Sequence, residues 1–396
     1  MVARDMMKIA LLTYSTKPRG SVVHTWELAN ALHHLGHTVC VYALDKGAAS
    51  SPQHEEVDEI ASPPHRQLAC PMRLIPARPA PDDIDGLIQQ RIQEFVAALQ
   101  QESDRYDVYH AQDCIGANAL VQLKERGQVH HVVRTVHHVE DYESIYLQQC
   151  QDKSIRLPDL CLCVSDRWQQ ALRTDYNIDA PRVVNGVDQQ RFSPALDGSE
   201  TALKTAYQLT GHPIYLTVGG IEPRKNSIRL LEAFAQVQAQ QPQAQLIIAG
   251  GATLFDYQPY REQFFQRAAA LGIMDALVLP GVIPDADLPG MYRCADVFCF
   301  PSIKEGWGLV VLEAIAAGLP VVTANETPFT EFLTSEQAIL VNPGSVEQIA
   351  QGMLAASEPK RSHALVEQSR GILARYTWEK SAQMHLQAYQ SLVHSH

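Results

Sequence analysis

Along the chain, blocks of apolar residues alternate with blocks whose apolar positions recur at helical spacing. From Lys8 the order is an apolar run (Ile9 to Tyr14), a polar loop (Ser15 to Ser21), an amphipathic stretch (Val22 to Leu35) and a second apolar run (Thr38 to Leu44). Strand, helix, strand is the opening of a parallel α/β sheet. The alternation continues with helix Ile84 to Gln101, strand Asp107 to His110, helix Gly116 to Arg126, strand Val132 to Thr135, strand Leu160 to Val164 and helix Asp166 to Tyr176. Between Asp45 and Met72, Ser, Pro, His and acidic residues follow no period, which predicts a long mobile loop.

A polar stretch from Asp188 to His212, helical only near Ala202 to Leu209, reads as an inter-domain linker. The alternation then restarts: strand Ile214 to Val218, helix Ser227 to Gln240, strand Gln245 to Ala249, helix Tyr260 to Leu271, strand Ala276 to Leu279, helix Leu288 to Cys294 and strand Val297 to Phe300. Helix Leu309 to Ala317, strands Pro320 to Thr323 and Ala338 to Val341, and helix Val346 to Ala356 complete it. The pattern predicts two doubly wound α/β domains, 1–190 and 191–376, with a C-terminal helix in 377–396 (Trp378 to Leu392) that folds back onto the first domain. Ligands of such sheets bind outside the carboxyl ends of the strands. The cleft expected between the domains is therefore the first place to look for a site.

A length of 396 residues with 46% hydrophobic and 19% charged residues supports two buried cores. No apolar run approaches the roughly 18 residues of a membrane span, so integral membrane association is not expected. The net charge is −12, with 18 Lys and Arg against 25 Asp and Glu up to Gln190 and 14 against 19 thereafter, so neither half is basic. A nucleic-acid partner is excluded on that ground. The eight cysteines form no CxxC pair, and several lie in strand-like text such as Leu160-Cys-Leu-Cys-Val164, as reduced core residues do. No signal-peptide core precedes the first strand, which points to the cytoplasm.

The densest chemistry lies in Phe300-Pro-Ser-Ile-Lys-Glu-Gly-Trp-Gly-Leu-Val-Val-Leu-Glu-Ala-Ile-Ala-Ala-Gly-Leu-Pro320. Gly306 and Gly308 let backbone approach a ligand, and the N–H groups of Gly308, Leu309 and Val310 at a helix start suit a diphosphate. Glu313, one turn into the helix, has the acceptor chemistry for a ribose diol, and Glu305 that for a bound sugar. Glu313 stands in otherwise apolar text, where an unpaired buried carboxylate is costly, so it requires a partner. In Val218-Gly-Gly-Ile-Glu-Pro-Arg-Lys-Asn226, Gly219 and Gly220 follow a strand, and Arg224 and Lys225 precede a helix, where two cations neutralise a leaving diphosphate.

The segment from Phe300 to Pro320 resembles the E-x7-E motif of the retaining, nucleotide-sugar-dependent glycosyltransferases of family four, which have the GT-B fold. The resemblance runs from Lys8 to about Tyr389. It implies two Rossmann-like domains facing each other across a cleft, a nucleoside diphosphate sugar donor, an acceptor hydroxyl and no cofactor. It also implies that Glu305 contacts the transferred sugar, Glu313 the nucleotide ribose, and Lys225 the diphosphate. Donor contacts near Val282 would run through backbone. Where family members commonly carry an arginine after the first glycine, this chain has Gly220, so Arg224 or Arg19 is expected to supply that charge.

In the first domain, Pro18-Arg-Gly-Ser-Val-Val-His24 matches the family's glycine loop, with Gly20 kept and Arg19 in place of a second glycine. The family's catalytic-site histidine falls on His137 in Thr135-Val-His-His138, and His110 and Asp113 in Tyr109-His-Ala-Gln-Asp113 are further candidates. Asn185-Gly-Val-Asp188 with Phe192 resembles a family signature at the domain junction and reads as structural. Asp83-Ile-Asp85 and Asp285-Ala-Asp287 fit a metal-binding Asp-x-Asp string, but each opens a predicted helix and reads as a cap. The clusters His33, His34, His37 and His130, His131 read as surface, so no metal is expected. Two rival functions share these residues: a nucleotide-sugar epimerase, which needs no acceptor, and a sensor that binds the donor without transfer.

Overall fold

The computed structural model describes residues 6–45, 68–251 and 257–394, in two compact units, 1–185 with 378–396 and 186–377. Residues 46–67 of the loop expected between Asp45 and Met72 lie outside the described residues.

The first unit has strands β1 (Lys8–Thr13), β2 (Thr38–Asp45), β3 (Met72–Pro76), β4 (Val108–Ala111), β5 (Val132–Val136) and β6 (Leu160–Cys163). Their order is β3-β2-β1-β4-β5-β6, with every pair parallel. Helices α1 (Gly20–His34), α2 (Ile84–Gln100), α3 (Cys114–Glu125), α4 (Ile145–Arg156) and α5 (Asp166–Tyr176) connect them. One core lies between the sheet and α2 and α3, centred on Phe95, Leu120 and Val132. The other face of the sheet carries α1, and the C-terminal helix, Trp378–His394, packs on α1 in the same unit.

The second unit opens with α6 (Ser199–Ala206) and repeats the design: β7 (Ile214–Val218), α7 (Ser227–Gln240), β8 (Gln245–Ala249), α8 (Gln258–Leu271), β9 (Leu277–Gly281) and α9 (Leu288–Arg293). It continues through β10 (Val297–Phe300), α10 (Leu309–Ala316), β11 (Val321–Ala324), β12 (Ile339–Val341), α11 (Val346–Ser357) and α12 (Pro359–Arg370) before the C-terminal helix, α13. The order β12-β11-β10-β7-β8-β9 is again all parallel. Tyr215, Phe234 and Phe264 fill one core of this unit. In both sheets the order reverses beside the unit's first strand, between β1 and β4 and between β7 and β10. Crevices open at such switch points.

Several elements escaped the sequence reading. Strand β3 is an edge strand in which only Ile75 is buried, so it shows no alternation. Helix α4 is half glutamine and charge, and α12 buries only Leu365 and Ser369. His37 is not a surface residue: it is buried, and its Nδ1 accepts the Met7 N–H at 3.2 Å. The two Asp-x-Asp strings also part company. Asp83 caps α2 by accepting from Gly86 N–H at 2.6 Å. Asp287 occupies the N-cap of α9 without a side-chain cap bond, and Asp285 instead pairs with Arg191 at 2.9 Å. Among the described residues no three His, Cys, Asp or Glu side chains converge as metal ligands, and no helix is long and apolar enough to cross a membrane.

Candidate active site

The switch point of the second unit is built from two loops, 219–226 after β7 and 301–308 after β10. Asn226 ties them together from a left-handed backbone (φ 62°), donating from its carboxamide to Pro301 O at 3.1 Å and Pro343 O at 2.6 Å. Ile303 N–H donates to Arg224 O at 2.9 Å, and the Ser302 hydroxyl lies 2.7 Å from both that carbonyl and Glu305 Oε1.

Glu305 is the centre of this cluster. Lys225 Nζ lies 2.6 Å and an Arg224 guanidinium nitrogen 3.2 Å from the same Oε1, and Arg224 Nε pairs with Glu222 at 2.9 Å. Burial pushes the Glu305 carboxyl up, but the charges of Lys225 and Arg224 outweigh it and hold the group below its ordinary value. Burial draws the Lys225 ammonium below the ordinary lysine value, with Glu305 opposing. The ammonium also lies 4.5 Å from the centre of the Phe300 ring. The result is a carboxylate fixed in the ionised state, with two cations beside it.

Gly308 caps α10 with a positive φ of 100°, and no side chain caps the helix. A Cβ at Gly308 would stand 2.7 Å from the Phe329 ring, so glycine is required both by backbone angle and by space. A helix dipole favours an anion at such a start. Trp307, buried against Phe332 (ring centres 4.9 Å apart) and Tyr376, holds the loop in place from behind. Helix α10 is apolar enough that all residues from Val311 to Ala316 are buried, and Gly318 (φ 81°) followed by Pro320 ends it.

Glu313 sits in that buried run, and its required partner is Tyr292 of α9, whose hydroxyl donates to Oε2 at 2.8 Å. Tyr292, Ser302 and Asn226 were not singled out by sequence. Each is an ordinary residue type in ordinary text, and the only signal was the need of Glu313 for a donor.

Gly220 explains the absent arginine. A Cβ there would stand 2.4 Å from Gly251 O and 2.9 Å from Glu222 Oε1, because the chain ends of β7 and β8 approach closely. A residue with a side chain does not fit, and Arg224 brings its guanidinium to the cluster from the next turn. At Gly219 the φ is 146°, and the Lys225 side chain packs over it. Val282 follows β9, is about half exposed, and lies where a Cβ on Gly251 would strike it.

In the first unit, His137 follows β5 and is half-buried, with Nε2 3.0 Å from Gln112 Oε1 and its ring 4.8 Å from that of His24. Burial first, then neighbouring His24 and Arg134, hold its pKa well below the ordinary histidine value, so the ring is neutral. Arg19 is the N-cap residue of α1 and Gly20 its first residue; a Cβ on Gly20 would meet open space, so the chain's own packing does not demand glycine there. His110 is fully buried, with the Tyr389 hydroxyl Oη at 2.6 Å from Nδ1 and Thr135 Oγ1 at 2.8 Å from Nε2, which removes it from direct contact with a substrate. Asp113 caps α3 by accepting from Gly116 N–H at 2.7 Å. Asn185 accepts from His24 Nδ1 across 2.8 Å, a structural task.

Two parallel doubly wound units, one with a carboxylate held by two cations at its switch point, define a doubly wound α/β class of protein. Family comparison specifies it further: residues 18–191 match the model of Glycosyltransferase Family 4, and residues 200–371 that of Glycosyl transferases group 1. The chain belongs to the group 1, family 4 glycosyltransferases and is a glycosyltransferase enzyme.

It is 27% identical to a D-inositol 3-phosphate glycosyltransferase of Kribbella flavida, across 98% of this chain and 97% of that one. It is 26% identical to the O-antigen chain mannosyltransferase B of Escherichia coli, but that match spans 62% of this chain and 64% of the relative. Among solved structures, Anabaena HepE in complex with UDP and glucose superposes with a TM-score of 0.78 at 19% identity, over 97% of this chain and all of that one, a likeness of fold.

Proposed function

We propose that the chain transfers a sugar from a nucleoside diphosphate sugar to an acceptor hydroxyl, with retention at the anomeric carbon and without a bound metal or other cofactor. The observation that carries this reading is the joint placement of Glu305, Lys225, Arg224 and the uncapped start of α10 at one switch point. The donor diphosphate would lie on the N–H groups of Gly308, Leu309 and Val310, with Gly306 giving room, and Glu313 would accept from the ribose. That the HepE structure holds UDP and glucose supports a donor of this class.

In the transfer, the bond between the anomeric carbon and the phosphate oxygen breaks as the bond to the acceptor oxygen forms on the same face. The acceptor proton passes to the departing phosphate. Lys225, Arg224 and the helix start act where negative charge grows, which is where a fixed charge lowers a barrier. Glu305 would orient both cations and contact the sugar, and neutral His137 would hydrogen-bond a sugar hydroxyl. Gly219, Gly220 and Val282 would border the donor.

The test is an incubation of the full chain with UDP- and GDP-sugars and a panel of hydroxyl acceptors. Acceptor-dependent release of the nucleoside diphosphate supports transfer. Isomerised donor without acceptor would point to an epimerase, and tight binding without turnover to a sensor.

A further inference from the structure

A network in the first unit runs from the C-terminal helix to the end of β5, and its atoms select which nitrogen of His137 carries the proton. Tyr389 of α13 is fully buried, with its hydroxyl 2.6 Å from His110 Nδ1, and Thr135 Oγ1 is 2.8 Å from His110 Nε2. Both in-plane positions of that imidazole are therefore taken. The carboxamide nitrogen of Gln112 lies 3.2 Å from His110 Nε2 and 3.4 Å from Nδ1. A position so nearly equidistant from both lies over the ring face rather than in its plane.

An N–H group is attracted to the electron-rich face of a ring, and a carbonyl oxygen is not. That preference turns the amide nitrogen of Gln112 toward His110 and its Oε1 toward His137, 3.0 Å from Nε2. A carbonyl oxygen only accepts, so Nε2 of His137 donates, and the lone pair of the neutral ring is on Nδ1. On the other side, His24 packs edge-on against His137 and is itself oriented by Asn185.

We infer that Tyr389, His110 and Gln112 are positioning residues that hold His137 in its Nε2–H tautomer, so that Nδ1 is presented as the acceptor for a sugar hydroxyl. The functional half of this inference rests on the role proposed above for His137; the tautomer does not. It makes the last helix of the chain part of the machinery of the first unit, through a residue distant in sequence from the one it serves.

The experiment uses the full chain labelled with 15N-histidine and long-range 1H–15N correlation at pH 7.5, with the His137 signals identified by their loss in His137→Gln. The wild type is expected to show His137 as the Nε2–H tautomer. In Gln112→Leu it should become a mixture, and in Gln112→Glu, which keeps an acceptor, it should return to Nε2–H. Tyr389→Phe should perturb the His110 signals and broaden or shift those of His137.

With UDP-glucose or GDP-mannose, whichever turns over, kcat should fall about tenfold in Gln112→Leu with little change in KM, and recover in part in Gln112→Glu. A His137 that stays wholly Nε2–H in a folded Gln112→Leu variant overturns the relay. A tautomer that shifts while kcat holds overturns the functional half. Unchanged turnover in His137→Ala defeats the role assigned to His137 and leaves the tautomer result standing.

Discussion

Tyr292 donates its phenolic proton to Glu313 across 2.8 Å, and both side chains are buried. Burial first, and then the Glu313 charge, raise the tyrosine pKa far above its ordinary value, so the phenol stays a donor at every working pH. The bond helps fix a carboxylate within the apolar helix α10. Tyr292→Phe removes this donor from a buried carboxylate, at a cost of about 1–3 kcal/mol. Urea unfolding should show that loss, and calorimetry should show weaker nucleotide binding. Unchanged binding would remove Glu313 from the donor site.

Glu305→Gln and Lys225→Ala test the charged cluster. Each removes one partner of a buried ion pair whose members lie 2.6 Å apart. Turnover should drop on the order of a hundredfold in each, in Lys225→Ala because a cation is lost where negative charge grows and in Glu305→Gln because the carboxylate that orients both cations is lost. Near-normal rates in both variants would defeat the assignment of the cluster as catalytic.

Gly220→Ala probes the absence of the family arginine. The new Cβ would stand 2.4 Å from Gly251 O, a backbone atom, so strain rather than gain of function is expected. Thermal unfolding should show a loss of about 1–3 kcal/mol, as overpacking typically costs. Gly220→Arg should be worse and should not raise activity. A stable and faster Gly220→Arg enzyme would show that Arg224 does not fill the role.

Acid should destabilise the first unit through its buried imidazoles. His24, His110 and His385 are fully buried, and burial pulls His24 down to about 3, His385 to about 4 and His110 well below its ordinary value. Mutual repulsion adds for His24 and His110, through His385. The unfolded chain protonates these groups near pH 6.5 and the folded one does not, so the unfolded state binds more protons below that pH. Stability is therefore full above about pH 6.5 and falls as pH drops toward the folded values, by about 1.4 kcal/mol per histidine between pH 7.5 and 5.5. Denaturant midpoints at the two pH values measure this, and His385→Phe should flatten the slope by one proton. A flat profile would contradict the burial of the cluster.

Much of the fold was legible because many strands are continuous apolar runs, as in Thr38–Asp45, and most helices follow their own period, as in Asp166–Tyr176. What stayed hidden has a physical reason in each case. Edge strand β3 buries one residue and so carries no pattern, and α4 and α12 present few apolar positions. In the site, Glu305, Lys225 and Arg224 were legible from charge and spacing, and the need of Glu313 for a donor was legible from its apolar surroundings. The identity of that donor was not, because Tyr292 lies 21 residues upstream on another helix. The burial of His37 and the network through Gln112 and Tyr389 likewise come from tertiary packing, which neither period nor spacing encodes. Gly220 was legible only as a departure, and the carbonyl of Gly251 supplies its cause.

The central claim is that a pyrophosphate sits on the first turn of α10 beside Lys225 and Arg224. A crystal of the full chain grown with whichever nucleoside diphosphate most raises its melting temperature measures this directly. The account predicts diphosphate density within hydrogen-bond distance of the N–H groups of Gly308, Leu309 and Val310. Nucleotide bound elsewhere, with that helix start still bare, would contradict it.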